Sequence, residues 1–430
     1  MANSSSPESV LNATVATAAA LLANGAAAAD ASDAASRVAA AGGLNPVSVS
    51  VSYSDVISYW TDAQERTLVA VRAVPRRVFD YGRLAGVMEL VERAAAGRIG
   101  PGTLMATLHR LQERKGRYPW WAIRLATGAA GGMAAVLFGG GVVAAAAAFV
   151  ANLVVDWLFG FLGRRGWPSF FIQAVVGVLA VVIAALVQWL APVSSPAIIV
   201  VAVILIALAG MTSTGAVQDA ITGWYVNASG RIFEALANTA GLVAGVQLGL
   251  LAIHAAGVQL SVTQGVQLGS FPLPVILFAA ALVALGFGIA CQTPPLAFAP
   301  TAVLAALAYA VFSFLTTFEG PVWAAAAAAF VAGLFAVSVS NRFRLPTTAI
   351  ATCAILPMLP GVQLYQGLLE LGGLAPQSEG SLVTAAAMAL ALAAGISFGE
   401  YCGLVTWGAL RGVANRAFLP LYKRRENTGT

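Results

Sequence analysis

Charge is what this sequence lacks. Of 430 residues only 10% are Asp, Glu, Lys or Arg, against 59% hydrophobic, and mean hydropathy is +0.83. A soluble domain carries about 25% charged residues, so the composition excludes an ordinary soluble protein and points to a polytopic membrane one. Cysteine is as scarce. Cys291, Cys353 and Cys402 lie far apart in apolar segments, which excludes a disulfide framework and a cysteine metal site and leaves small buried hydrophobes. The two histidines, His109 and His254, have no partner pattern. No Walker loop, HExxH, paired CxxC or GxSxG occurs, so ATP drive and membrane proteolysis have no support, and the chain reads as a non-enzyme without cofactor or metal. No basic residue precedes the Ala-rich run at 15–29, and Asn24, Asp30 and Asp33 interrupt that run or follow it, which argues against a signal peptide.

The charges that exist are segregated. Residues 1–121 hold 12 Lys/Arg and 10 Asp/Glu, residues 122–410 hold 6 and 7, and the tail from Arg411 holds 5 and 1. The excess of +5 therefore reports membrane topology and not nucleic-acid binding. RLQERKGRYP precedes the first apolar span, which predicts a cytoplasmic head. Arg164 and Arg165, Arg342 and Arg344, and the Lys423-Arg424-Arg425 tail all fall on that same side if there are ten spans and both termini are inside. The outer loops at 192–196, 255–270 and 316–321 contain no Lys or Arg.

The predicted fold is an all-α polytopic membrane protein with a small cytoplasmic α/β head at residues 1–120. In the head, 11–41 reads as helical, 47–55 and 67–74 as strands, and 82–97 and 102–116 as amphipathic helices stopped by Gly97 and Gly116. Spans need about 20 apolar residues, and ten are predicted: 121–138, 142–163, 168–190, 196–215, 230–252, 272–291, 297–315, 321–340, 346–368 and 381–410. They divide into five-helix repeats at 121–255 and 270–410, followed by a basic cytoplasmic tail, 411–430.

The division rests on self-similarity. GRIFEALANTAGLVAGVQLG (230–249) and GSLVTAAAMALALAAGISFG (380–399) agree at 7 of 20 positions, with glycine first, sixteenth and last. Upstream, GMTSTGAVQD (210–219) lies over GVQLYQGLLE (361–370), each with a glycine first and a carboxylate nine residues later. Five spans per copy force the second copy into the membrane from the opposite face, an inverted repeat. Spans four and nine both lose their apolar pattern, at LAGMTSTG and LPMLPGVQLYQG. Irregular backbone at membrane depth requires protein cover or a wet cavity, and the half-helix ends it creates suit a zwitterion's charges.

With its hydrophilic head, LFGGG ending span one, G-x₈-D with GRIFEA in the first half and LPGVQLYQGLLE in the second, the chain resembles the threonine/serine exporter family. The first half has Ala209-Gly210 where that family carries a PG pair. The resemblance implies a secondary transporter in the plasma (inner) membrane, exporting small hydroxy amino acids by the proton-motive force. An exchanger or importer of another small polar metabolite, and a transport-inactive membrane-anchored interaction protein, remain alternatives. The implied partners are a small amino acid, protons and lipid, with no nucleic acid; homo-oligomerisation is left open.

Ionisable groups inside spans are functional candidates by default. The candidate substrate contacts are Gly210, Thr212, Ser213, Asp219, Arg231 and Glu234 in the first half. In the second they are Pro360, Gly361, Gln363, Tyr365 and Glu370. The candidates for proton coupling are Asp156, Asp219 and Glu400, since a carboxylate in low dielectric holds protons nearer working pH. Each has a plainer reading: helix-end solvation for Asp219 and Glu370, a local ion pair for Arg231 with Glu234, a structural hydrogen bond for Asp156, and packing for Gln363 and Tyr365. The facing of 210–219 against 361–370 across a pseudo-two-fold axis is the predicted substrate path.

Overall fold

The computed structural model describes residues 6–75, 77–191, 195–209, 213–257, 271–343, 345–371 and 380–411. The head begins with α1 (Pro7–Ala23), capped by Ser6, whose side chain accepts from the Ser9 amide. From Val10 to Ala23 this helix is buried on nearly every side, as a helix apolar all round must be. Its polar groups satisfy themselves: Thr14 and Thr17 donate to the carbonyls of Val10 and Ala13. The helical stretch expected over 11–41 is two helices, because Asn24-Gly25 breaks it. Gly25 takes φ +100° and packs against the Phe79 ring, a conformation that strains any residue with a Cβ. Next comes α2 (Ala28–Ala41), followed by β1 (Ser48–Val51), β2 (Asp55–Thr61) and β3 (Thr67–Ala73) as an antiparallel meander in that order. The register sets Val51 opposite Val56 and Thr61 opposite Thr67. The pair α3 (Tyr81–Ala95) and α4 (Pro101–Glu113) then packs with α2 and β3 around α1.

The remaining elements are α5 (Trp120–Leu137), α6 (Val142–Arg164), α7 (Ser169–Leu190), α8 (Ala197–Ala209), α9 (Ser213–Ile221), α10 (Tyr225–Ala255), α11 (Leu273–Ala290), α12 (Phe298–Thr316), α13 (Pro321–Phe343), α14 (Thr347–Ile355), α15 (Gly361–Leu371) and α16 (Ser381–Arg411). Seven of these described helices, namely α6, α7, α10, α11, α12, α13 and α16, are long and apolar enough to cross a bilayer. An eighth crossing results if the bent pair α14–α15 counts as one; it turns by 50° after a 3-10 turn at Leu356–Met358. The other two expected spans fall on α5, which is 18 residues long and carries Arg124, and on α8, 13 residues long. At 1.5 Å per residue α8 covers about 20 Å, short of the roughly 30 Å hydrocarbon core. It is nevertheless buried from Ala197 to Leu205.

The two sets of helices pack alike. In the first, α5, α6 and α7 surround α8; in the second, α11, α12 and α13 surround α14. Likewise α7 lies along α10 as α13 lies along α16, and α5 meets α11 between the sets. Glycines make the long contacts. A Cβ on Gly245 would collide with the Ala174 carbonyl, and one on Gly399 with that of Phe330. Small residues at such crossings let backbones approach where lipid offers no hydrophobic drive. The glycines that recur in the sequence, 245 with 395 and 249 with 399, sit at these contacts, on α10 against α7 and on α16 against α13.

Candidate functional site

A small cavity opens where the head meets α9, α10, α14 and α16. Its walls are Gly25, Ala27, Phe79 and Tyr81 from the head, Gly215 and Gln218 from α9, and Arg231 from α10. Thr348 and Thr352 of α14 and Ser397 and Glu400 of α16 complete them. Its volume is about 20 Å³, room for a water but not for an amino acid. Local sequence explains the shape. The Asn24-Gly25 break puts the start of α2 at the cavity, and Gly215 leaves room for the Arg231 guanidinium, which would collide with any Cβ there.

One wall is an ionic network. Asp219 is fully buried and Arg231 is 3% exposed. Arg231 Nη1 donates to Asp219 Oδ2 at 2.7 Å, and Asn227 Nδ2 donates to the same oxygen at 2.6 Å. The other oxygen, Oδ1, accepts the Ala28 amide at 2.8 Å. Ala28 is the first residue of α2, whose N-cap Ala27 supplies no side-chain hydrogen bond; Asp219 therefore caps a helix of the head. Buried ion pairs recover their desolvation cost only when the remaining lone pairs and protons are also satisfied, and Asp219 achieves this with three donors. The head adds Arg77, which donates to Asn227 Oδ1 at 2.6 Å and lies 5.0 Å over the Tyr53 ring. Tyr53 packs on Gly230 and lies beside Glu234. The GRIFE segment at 230–234 is thus the surface on which the head sits.

Two groups at the cavity are unsaturated. Glu400 is 7% exposed; its Oε2 accepts from Gln218 Nε2 at 3.1 Å, and its Oε1 makes no hydrogen bond. Arg231 Nε is also buried without an acceptor. Asp30, in the first turn of α2, has its carboxyl pushed up to about 6, first by burial and then by Asp33 and Asp219. Tyr81 and Thr352 both line the cavity, one from each side of the head boundary. A cation with spare donors, an anion with a spare oxygen and a row of hydroxyls around one cavity are what an amino-acid zwitterion requires.

The family models match both parts of the chain. Residues 12–252 match the model described as "Putative threonine/serine exporter" and residues 276–402 the one described as "Threonine/Serine exporter, ThrE". The chain belongs to the threonine/serine exporter family. It is 33% identical over 410 residues to a "Probable threonine/serine exporter" of Mycobacterium tuberculosis, covering 91% of this chain and 76% of that one. It is 28% identical over 328 residues to the "Threonine/serine exporter" of Corynebacterium glutamicum, covering 75% and 67%. No solved structure matches it.

Against this family frame the other expected residues separate. Asp219, Arg231 and Glu400 come together at the cavity, and Glu234 lies behind them at the head interface. Gly210 and Thr212 lie outside the described residues, and Ser213 opens α9. Pro360 and Gly361 form the bend before α15, with Gly361 facing Leu205 of α8. Gln363, Tyr365 and Glu370 belong to α15, which packs on α8, α10 and α16, and none of them lines the cavity. Tyr365 is 2% exposed, and Glu370 accepts from Ser381 Oγ. Asp156 pairs with Arg124 at 3.5 Å between α5 and α6. Sequence reasoning missed Gln218, Thr348, Thr352 and Ser397, and all of the head's contribution. Two left a trace: Gln218, beside Asp219 within the 210–219 segment, and Ser397, one helical turn before Glu400.

Proposed function

We propose that the chain exports small hydroxy amino acids of the threonine and serine class, and that the cavity between head and membrane helices is its substrate site. The observation that carries this reading is that Arg231 and Glu400, each with an unsatisfied buried polar atom, line one cavity. Arg231 would receive the substrate carboxylate through the planar fork that suits carboxylates, and Glu400 its ammonium. Thr348, Thr352, Ser397 and Gln218 would read the side-chain hydroxyl; a site built to bond a hydroxyl discriminates strongly against substrates without one. The family relatives supply the substrate class by name.

Drive by the proton-motive force, with Glu400 as carrier, belongs to the same reading. Glu400 shares its site with the substrate and has an oxygen available, whereas both oxygens of Asp219 are held by donors. The membrane part reads as two inverted five-helix halves at 121–255 and 270–410, supported by the matched packing around α8 and α14. A second support is the placement of the carboxylates. The half-repeats align Asp219 with Glu370 and Arg231 with Ser381, and these residues pair within each half. The position of Glu400 aligns with Leu250, so the second half alone brings the acid. Loop charges favour both termini in the cytoplasm and a plasma-membrane location, with residues 1–120 as a cytoplasmic head.

Counterflow of labelled threonine into proteoliposomes tests the reading. Wild type should accumulate label against internal serine and respond to an imposed pH gradient, while Glu400→Gln should retain exchange and lose that response. A Glu400→Gln variant that still follows the pH gradient would remove Glu400 from the coupling. No threonine counterflow by wild type would refute the substrate assignment.

A further inference from the structure

A second cavity, of about 230 Å³, lies between the start of α3, the end of α4 and the segment leading into α5. Arg83, Arg114, Lys115 and Arg117 line it together with one carboxylate, Asp80. That carboxylate is already engaged: Oδ1 accepts the Arg83 amide as the cap of α3, and Oδ2 lies 3.3 Å from Arg83 Nε. Four cations therefore converge on a concave surface whose one anion is occupied. We propose that this cavity binds the phosphate of an anionic phospholipid headgroup.

Three observations support a built site of this kind. First, the basic segment is fixed. Arg83 Nη2 donates to the Arg114 carbonyl at 2.7 Å. Gly116 packs so closely on the Gln292 side chain that a Cβ would lie 3.0 Å from Nε2. The Tyr118 amide donates to Gln292 Oε1 at 2.9 Å and its hydroxyl to the Thr293 carbonyl at 2.8 Å. Holding the backbone that carries the cations removes part of the ordering cost of binding. Second, the site adjoins a pair of exposed tryptophans, the residues of the headgroup level. Two residues after Tyr118, α5 begins with Trp120 and Trp121, which are 66% and 54% exposed. Tryptophan marks the membrane–water interface, and Arg124 stacks over Trp120 at 4.7 Å. Third, the opening is walled. Positive charge that only orients a span needs no cavity, whereas basic pockets beside spans hold lipid phosphates.

The test is native mass spectrometry of the full chain released from vesicles containing equal phosphatidylglycerol and phosphatidylcholine. Wild type should keep one phosphatidylglycerol through delipidation. The variant with Arg114→Gln, Lys115→Gln and Arg117→Gln should keep at least about tenfold less, since each surface cation adds roughly 1 kcal/mol towards anionic lipid. Arg114→Lys with Arg117→Lys, which keeps the charge, should retain most of it, and thermal melting should show all three proteins folded. Excess inorganic phosphate should not displace the lipid. Equal retention by the glutamine variant overturns the proposal, and so does displacement by free phosphate, which would make this an anion site and not a lipid one.

Discussion

Asp219 has no oxygen to spare. Its two oxygens take donors from α10, from the 227 position and from the head, so it anchors the network, while Glu400 keeps a free acceptor beside the cavity. The Ala28 amide is the head's direct bond to this carboxylate, and it can be removed without damaging α2. Proline is favoured at the first helical position, and the preceding residue must be extended; Ala27 already is, at φ −70° and ψ 154°. Ala28→Pro should therefore keep the helix, lose the bond and destabilise the folded chain by about 1–3 kcal/mol, the cost of an unsatisfied buried group. Thermal melting in detergent would register this as a lower midpoint, with helical content unchanged below it. An unaltered midpoint would mean that the contact contributes nothing. At this scale the sequence was partly legible. Single charges stand out in a chain so poor in them, so Asp219, Arg231, Glu234 and Glu400 were all visible. Which of them meet was not visible, because Gln218 and Glu400 lie 182 positions apart and periodicity carries no information at that distance.

Elements were the most legible level. Hydropathy over about 20 residues placed the long helices, and proline with glycine located the bend before α15. The strand β2 went unread because its pattern is reversed: Ser58 is buried while Ile57 and Tyr59 are exposed at 40% and 46%, against the usual alternation. Glycines in the long helices have two different roles that sequence alone does not separate. At Gly399 a Cβ would collide with the Phe330 carbonyl of α13, a backbone atom that cannot swing aside. At Gly361 the nearest atoms are those of Leu205 at 3.6 Å, an ordinary contact. Gly399→Ala should thus push α16 off α13 and cost about 1–3 kcal/mol, as overpacking does. Gly361→Ala should leave stability within about 0.5 kcal/mol. If Gly361→Ala then lowers threonine transport with the protein intact, the bend itself is at work; if Gly399→Ala melts like wild type, the crossing is looser than its glycines indicate.

At the scale of the whole molecule, the cavity is smaller than the substrate proposed for it. About 20 Å³ does not admit an amino acid, and the head supplies the side formed by Gly25, Ala27, Phe79 and Tyr81. The head's seat is polar, made of Arg77 with Asn227, Ala28 with Asp219, and Tyr53 with Gly230 and Glu234. Polar interfaces between domains favour relative motion over permanent docking. If the proposed site is the substrate site, transport requires the head to shift off α10 and back in each cycle, which is a motion that a covalent bond would stop. Tyr53 and Gly230 offer the place, since a Cβ on Gly230 would lie 2.7 Å from that of Tyr53. Disulfides span about 3.5–4.5 Å between these atoms, a distance reached by a shift of roughly an ångström once the tyrosine ring is gone. Tyr53→Cys with Gly230→Cys, in a background with Cys291, Cys353 and Cys402 replaced by alanine, should exchange threonine when reduced, stop when oxidised and recover with dithiothreitol. The alanine background alone should ignore the oxidant. Full exchange by the oxidised, cross-linked protein would show that the head stays seated while substrate passes, and that the path runs elsewhere, through the bend between α14 and α15.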